Sequence, residues 1–202
     1  MRLPATSELA ASELATSELE NHIRTDAAIL DQDFEALVRL YRPRVFRFAL
    51  ASLRDVDAAE TVTQDCFLRA YQARRRFRQD CGVHTWLMQI AVNLIRDVIR
   101  NRRFQFWRRA SRTAKPVDAA GHALADRARS PEAQALIQER VAAVWSAAER
   151  LPQKQRAVFL LRFVEDMDLL EIAFATGMKE GTVKTHLFRA LRAVREHMGD
   201  TA

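Results

Sequence analysis

The sequence contains little glycine and little proline, with five residues of each in 202. Soluble proteins usually hold about 12% of these two residues together, more than twice as much. Because both residues interrupt regular helices, their scarcity predicts long helices and few strands. Hydrophobic residues make up 49% of the chain, which is enough to bury a core. We therefore expect an all-α protein.

Other absences exclude several classes of function. The only two cysteines, Cys66 and Cys81, form no CxxC pair, and the five histidines have no ligand spacing. This argues against a zinc site, against any cofactor and against a nucleic-acid-processing enzyme, although one disulfide remains an alternative to two free thiols.

No apolar run approaches the roughly 18 residues of a membrane helix, and no signal-peptide core is present. We expect a soluble, cytoplasmic protein without membrane insertion.

The net charge of +6 is unevenly distributed along the chain. Residues 1–33 carry 2 basic and 7 acidic groups, residues 34–115 carry 18 and 7, and residues 116–202 carry 12 and 12. The middle segment, with a net charge of +11, is typical of a polyanion-binding surface, because each phosphate contact releases counterions.

The first 20 residues repeat the pattern TSELA, ASELA, TSELE. Five residues rotate a helix by about 500°, so the repeated leucines would not share one face. We expect residues 1–32 to be an acidic, disordered extension, with a short partner-binding helix as the alternative.

Helical periodicity begins at Asp33, a suitable N-cap, and Pro43 interrupts the pattern. A second helix is predicted from about residue 57 to 76, with Cys66 and Phe67 turned inward. A third helix is the clearest, because apolar pairs recur every four residues from Trp86 onward. The opposite face of this helix carries a polar stripe, formed by Gln89, Asn93, Arg96, Asp97, Arg100 and Arg103. Its amide and guanidinium groups can read bases, and the alternative is that the stripe is only a solvated surface.

A basic run interleaved with aromatics, Asn101 to Arg109, follows and suits stacking on bases. Residues 110–130 lack a sustained apolar period and are predicted to be a linker. Ser130, Pro131 and Glu132 then form a strong helix start. We expect a second domain over residues 131–198, with helices near 131–150, 153–164, 168–176 and 180–198.

The last third of the chain has the spacing of a helix-turn-helix. Ala173, Gly177 and Val183 stand four and then six residues apart. A small residue lets two helices approach, glycine permits the positive φ of a tight turn, and valine packs the second helix on the first. The free face of the second helix, which is either a DNA-reading or a solvated surface, presents Thr182, Lys184, Thr185, Phe188, Arg189 and Arg192.

The chain resembles the extracytoplasmic-function group of bacterial sigma factors, in the sigma-70 family, over about residues 33–198. The segment AETVTQDCFLRAYQARRRFRQD, from Ala59 to Asp80, looks like its region-two helix. HTWLMQIAVNLIRDVIRNRR, from His84 to Arg103, is similar to its promoter-melting helix. The sequence from Leu151 to Arg195 resembles region four, which in the family reads the −35 element as duplex DNA.

The resemblance implies two small helical domains, region two over residues 33–109 and region four over residues 131–198, joined by a flexible linker. It implies that the first domain docks on the clamp helices of core RNA polymerase through Gln64, Asp65, Phe67, Leu68 and Arg69. It also implies contact with the flap of the large subunits. Together with the polar stripe, it places −10 DNA contacts on Phe77, Asp80, His84, Trp86, Gln89, Asn93, Arg96, Asp97 and Arg100. The alternative for Trp86 is that it packs in the hydrophobic core instead of contacting DNA.

The main hypothesis is therefore an alternative sigma factor, a non-catalytic subunit that directs core polymerase to promoter DNA through −10 melting and −35 recognition. The resemblance also allows an anti-sigma factor as a further partner, and location at the nucleoid within holoenzyme. The alternative is a LuxR-like helix-turn-helix regulator that is not a polymerase subunit, because GTVKTHL followed by a basic helix occurs in that class too.

Overall fold

The computed structural model describes residues 33–108 and 131–199 of the chain. Within these two ranges every regular element is helical. The acidic extension, the linker, and the side chains of the basic run beyond Asn101 lie outside the described residues.

The first domain is built from three helices. They are α1 (Phe34–Leu53), α2 (Val56–Ala73) and α3 (Val83–Arg108), and a 3-10 turn over Arg74–Arg76 follows α2. The Asp33 carboxylate caps α1 by accepting from the Ala36 N–H at 2.9 Å, as the sequence predicted. Arg54 ends α1 in the left-handed conformation (φ 55°), and Asp55 then caps α2 at the Ala58 N–H.

Helix α1 continues through Pro43, where the sequence predicted an interruption. Proline lacks the N–H that would complete one backbone hydrogen bond, which disfavours an interior position. The buried side chains of Tyr41, Val45 and Phe48 lie on both sides of Pro43 and hold the helix against the core. Tertiary packing therefore outweighs the local helix-breaking tendency.

The second domain contains four helices, whose bounds agree with the predicted ones to within a residue. They are α4 (Pro131–Arg150), α5 (Gln153–Phe163), α6 (Leu169–Thr176) and α7 (Glu180–Gly199). A capping box between Asp168 and Glu171 starts α6, and Gly177 ends it at φ 69°. This left-handed glycine makes the turn of the helix-turn-helix formed by α6 and α7.

The two domains have buried apolar cores and pack against each other. In the first domain, the apolar face predicted for α3 is buried at Leu87, Ala91, Leu94 and Ile95. In the second, Val183 and Ala190 of α7 are fully buried with Leu160, Leu161 and Ile172. Helix α6 lies on α3 and α5 lies on α1, so each domain covers part of the other.

Candidate nucleic-acid interface

Helix α7 presents the face that the sequence predicted. Its apolar stripe packs into the domain, and the six predicted DNA-facing side chains are all exposed: Thr182, Lys184, Thr185, Phe188, Arg189 and Arg192. Phe188 is 67% exposed, so its ring is accessible to a partner. Lys184 pairs with Glu180 at 2.6 Å and Arg192 with Glu196 at 2.7 Å, and both pairs lie at the surface. Exposed pairs of this kind separate at little cost when a phosphate competes.

Positive charge extends from α7 to the start of α5. His186 is partly buried, and burial lowers its pKa, with the nearby cations Lys154 and Arg189 lowering it further. The imidazole is therefore neutral at pH 7, and the positive field around it comes from the two longer side chains. Lys154 is not among the residues predicted from the sequence, although its position just after the α4–α5 break placed it at a helix start.

A cleft of about 250 Å³ lies at the start of α3. Phe77 and Trp86 form its aromatic wall, with ring centroids 4.9 Å apart. The remaining lining residues are Arg76, Arg78, Asp80, Cys81, Gln89 and Phe174. Aromatic rings can stack on an unpaired base, an amide can bond to its edge, and guanidinium groups can contact phosphates. Trp86 lines the cleft and also packs against the core, so its position agrees with its predicted core role and leaves the −10 role a prediction.

The structure brings only some of the predicted −10 residues to this cleft. Phe77, Asp80, Trp86 and Gln89 line it, and Asn93, Arg96 and Arg100 continue along the exposed side of α3. Asp97 accepts a hydrogen bond from Arg100 at 3.0 Å. His84 instead stacks on Tyr41 at 6.0 Å and lies 3.3 Å from the Glu165 carboxylate, which directs it toward the second domain.

The residues assigned to polymerase docking lie along α2, with one correction. Gln64, Asp65, Leu68 and Arg69 are exposed, and Leu68 is 55% exposed. Phe67 is only 7% exposed and belongs to the core of the first domain. Its place on the docking surface is therefore corrected: the helical period that turned Phe67 inward was the better guide.

A buried carboxylate joins the two domains. Glu165 follows α5, and its side chain has no solvent exposure. Its oxygens accept from Arg44 Nε at 3.1 Å and Arg47 Nη2 at 3.0 Å, both on α1. His84 Nε2 lies 3.3 Å from the same carboxylate. Of these four residues, only His84 was a site residue predicted from the sequence.

The two cysteines are expected to react slowly with alkylating reagents. Burial raises the pKa of the Cys66 thiol to about 12, although Arg69 opposes this, and burial with Asp80 and Glu171 raises that of Cys81 to about 11. Since only the thiolate reacts, iodoacetamide at pH 8 should modify Cys81 roughly a hundredfold more slowly than a free cysteine, and Cys66 still less. Timed mass spectrometry measures both rates, and unfolding in guanidinium should equalise them. Modification of native Cys81 at the rate of a free thiol would contradict the expected pKa.

Among the described residues, no group of three or more His, Cys, Asp or Glu side chains could hold a metal ion. The helices in these ranges are also too short or too polar to cross a membrane.

Comparison with known proteins covers both domains. The family model "Sigma-70 region 2" matches residues 37–105, and "Sigma-70, region 4" matches residues 142–194. The RNA polymerase sigma-H factor of Pseudomonas aeruginosa is 32% identical over 80% of this chain and 83% of its own length. The ECF RNA polymerase sigma-E factor of Escherichia coli is 30% identical over 80% of this chain and 84% of its own.

Two further matches differ in the share of the matched protein that this chain covers. A probable RNA polymerase sigma factor of Xanthomonas campestris, RfaY, is 31% identical over 89% of this chain, which spans 44% of that protein's length. The sigma factor RpoE from Bartonella quintana, solved in complex with the anti-sigma factor NepR, has a similar fold, with a TM-score of 0.67 and 21% identity. That match covers 83% of this chain and 98% of the solved one.

These matches do not favour the LuxR-like alternative, because they cover the first domain as well as the helix-turn-helix. The two domains, the relatives and the shared fold lead to one assignment: the chain belongs to the sigma-70 family of RNA polymerase sigma factors, in its extracytoplasmic-function group.

Proposed function

We propose that this sigma factor contacts promoter DNA at two separate places, the outer face of α7 and the cleft at the start of α3. The observation that carries this proposal is the exposed face of α7, where a phenyl ring and basic groups stand together on a rigid helix-turn-helix. An α-helix of this kind fits the major groove and reads base edges with side chains on one face. We assign −35 recognition to Thr182, Lys184, Thr185, Phe188, Arg189 and Arg192.

The cleft at the start of α3 suits a different form of DNA. Its rings and amide are arranged for a base that has left the duplex, and removing a base from the stack costs a few kcal/mol that such contacts offset. We assign −10 contacts to Phe77, Asp80, Trp86 and Gln89 in the cleft and to the polar side of α3 from Asn93 through Arg100. The exposed arginines around the cleft supply phosphate contacts.

The proposed partners are core RNA polymerase and promoter DNA. Region two, over residues 33–109, docks on the polymerase through Gln64, Asp65, Leu68 and Arg69 of α2, and region four, over residues 131–198, binds the flap. Residues 110–130 serve as the linker and residues 1–32 as an acidic extension. The chain acts as a non-catalytic subunit in the cytoplasm, at the nucleoid when bound to polymerase. An anti-sigma factor is a further candidate partner, since the similar Bartonella protein was solved with one.

Run-off transcription tests the proposed function directly. Purified chain is mixed with core polymerase and a fragment library of genomic DNA, and the transcripts are sequenced. We expect a small set of promoters that core polymerase alone does not use. Finding no chain-dependent transcript, although the chain is folded and binds core polymerase, would overturn the proposal.

Arg189 offers a test of the −35 surface. The change Arg189→Ala is expected to weaken binding to a −35 duplex by about 1–3 kcal/mol, because it removes a base or phosphate contact. Fluorescence anisotropy with a duplex from a promoter found by run-off measures the loss. The control is Arg140→Ala, an exposed arginine of the same domain that lies on α4 and outside the proposed face. Equal affinity of Arg189→Ala and wild type would remove Arg189 from the interface.

A further inference from the structure

We propose that the acidic extension, residues 1–32, binds in the free chain to an exposed surface of the first domain, the α2 patch. This patch is defined as Leu68, Arg69, Tyr71 and Arg75. Core RNA polymerase then has to displace the extension before it docks on α2. The inference rests on the docking surface assigned to α2 under the proposed function, and it gives that surface a second occupant, which is part of the same chain.

The first argument is the place where the extension joins the described residues. Asp33 caps α1, and the ring of the next residue, Phe34, meets the Tyr71 ring edge-on with centroids 5.1 Å apart. Tyr71 lies on α2 three residues after Leu68, so the two side chains are neighbours on one face of the helix. The chain therefore enters α1 directly beside the patch.

The second argument is the apolar centre of the patch. Leu68 is 55% exposed and Tyr71 is 47% exposed, and they are adjacent. The repeats of the extension carry side chains that can cover this centre, at Leu9, Leu14 and Leu19. Contact between the two apolar groups removes surface from water on both sides, which favours binding.

The third argument is charge. Arg69 and Arg75 are exposed, and the Arg74 guanidinium lies 3.7 Å from the centroid of the Tyr71 ring. Among the described residues, the ion pairs involve other cations and leave Arg69 and Arg75 without a carboxylate. Residues 1–33 carry 7 acidic and 2 basic groups, and each repeat places a glutamate directly before its leucine. The extension thus offers carboxylates and apolar groups together, which complements the patch.

The same comparison favours the α2 patch over the basic face of α7. Lys184 and Arg192 on α7 already pair with glutamates of their own helix, at 2.6 and 2.7 Å. The charge of α2 also gives the contact a direction. Asp65 is exposed at the end of the patch beyond Leu68 and repels an acidic segment there, so the contact centres on the end that holds Arg75.

The fourth argument is the covalent connection. The chain from Leu19 to residue 32 can span up to about 50 Å when fully extended. Helix α2 has 18 residues and is therefore about 27 Å long, so the repeats can reach all of the patch. A segment tethered at this distance has an effective concentration in the millimolar range. Contacts that are too weak between separate molecules can therefore occupy the patch within one chain.

Paramagnetic NMR on the full chain tests this contact. A spin label is attached at Ser17→Cys, Cys81→Ser removes the accessible native thiol, and buried Cys66 is left in place. We expect the amide signals of the α2 patch to lose most of their intensity, while those around Phe188 on α7 keep theirs. Broadening centred on α7, or broadening without preference for any surface, would overturn the proposal.

A mixed sample distinguishes contact within one chain from contact between two copies. Spin-labelled chain without ¹⁵N is added to ¹⁵N-labelled chain that carries no spin label. We expect no selective loss of signal, because the extension of each molecule occupies its own patch. Broadening of the α2 patch in this sample, equal to that in the singly labelled chain, would identify a second copy as the occupant and overturn the proposal.

Charge reversal tests the electrostatic part of the contact. Arg75→Glu is expected to remove most of the broadening at the patch, because a carboxylate then faces an acidic segment. Arg75 is exposed in the 3-10 turn after α2, so the fold should be retained. The matched control is Arg140→Glu, the same change at an exposed arginine of α4, which should leave the broadening intact. Full broadening in Arg75→Glu would contradict the proposed contact.

Polymerase affinity tests the competition. Glu13→Gln combined with Glu18→Gln weakens the extension without changing the docking residues. If the extension covers the patch nine-tenths of the time, its release raises the apparent affinity for core polymerase up to about tenfold. The control is Glu139→Gln combined with Asp166→Asn, which removes two exposed charges of the second domain and should bind like wild type.

Unchanged polymerase affinity, although the broadening at the patch is lost, would show that the extension does not compete and would overturn that part of the proposal. The NMR experiment uses neither polymerase nor DNA. Failure of run-off transcription therefore leaves its result intact, and the two proposals fail separately.

Discussion

Replacing Leu68 with glutamate is expected to weaken binding to core RNA polymerase on the order of a hundredfold, because a charged group then replaces the exposed apolar side chain of the docking surface proposed on α2. Leu68 is 55% exposed on α2, between Asp65 and Arg69, and Tyr71 nearby is 47% exposed. Glutamate is a good helix former at an exposed position, so the fold should be retained. Titration of labelled chain with core polymerase measures the change.

A matched control for this change is Leu40→Glu. Leu40 is 56% exposed on α1, so the substitution has the same chemistry and similar exposure at another surface. It should bind polymerase like wild type. Equal losses from both substitutions would show that α2 is not the specific docking surface.

Replacing Val183 with aspartate is expected to unfold the second domain and abolish −35 binding. Val183 has no solvent exposure and lies where α7 packs on the rest of the helix-turn-helix. The substitution removes a buried apolar side chain and places a carboxylate in the core without a hydrogen-bond or ion-pair partner. This lowers the free energy of unfolding by on the order of 4 kcal/mol or more. Loss of amide protection over residues 151–199, measured by hydrogen exchange, reports the unfolding.

Phe188→Asp separates loss of contact from loss of fold. Phe188 is on the same helix but 67% exposed, so its replacement should leave amide protection unchanged and still remove −35 binding. A Val183→Asp chain that keeps native protection would contradict the packing described for α7.

The sequence predicted the helices of the second domain well because the residues that start and end these helices lie close together in the sequence. Asp168 with Glu171, and Gly177 with its positive φ, act within a few residues, so the caps and turn could be read directly. Pro43 shows where this reasoning fails. A proline interrupts a helix locally, whereas the packing of Tyr41, Val45 and Phe48 that keeps α1 continuous involves partners on other helices.

The exposed face of α7 was predictable for a similar reason, since one apolar stripe fixes the opposite face. The contacts of Glu165 with Arg44 and Arg47 were not predictable, because these arginines lie 121 and 118 residues away from Glu165 along the chain. No periodicity connects residues at such distances. Phe67 shows that helical periodicity can also correct an assignment made from a family motif. The periodicity predicted that Phe67 faces the core, and the structure buries it there.

The long separation between Arg47 and Glu165 also matters during protein synthesis. Ribosomes add about 5–20 residues per second, and domains fold as they emerge. The 118 residues between these partners therefore take roughly 6–24 seconds to make, during which α1 and α3 have no second domain to cover them. Every newly made chain thus exposes, until its second domain is made, the surface of the first domain on which that domain later packs.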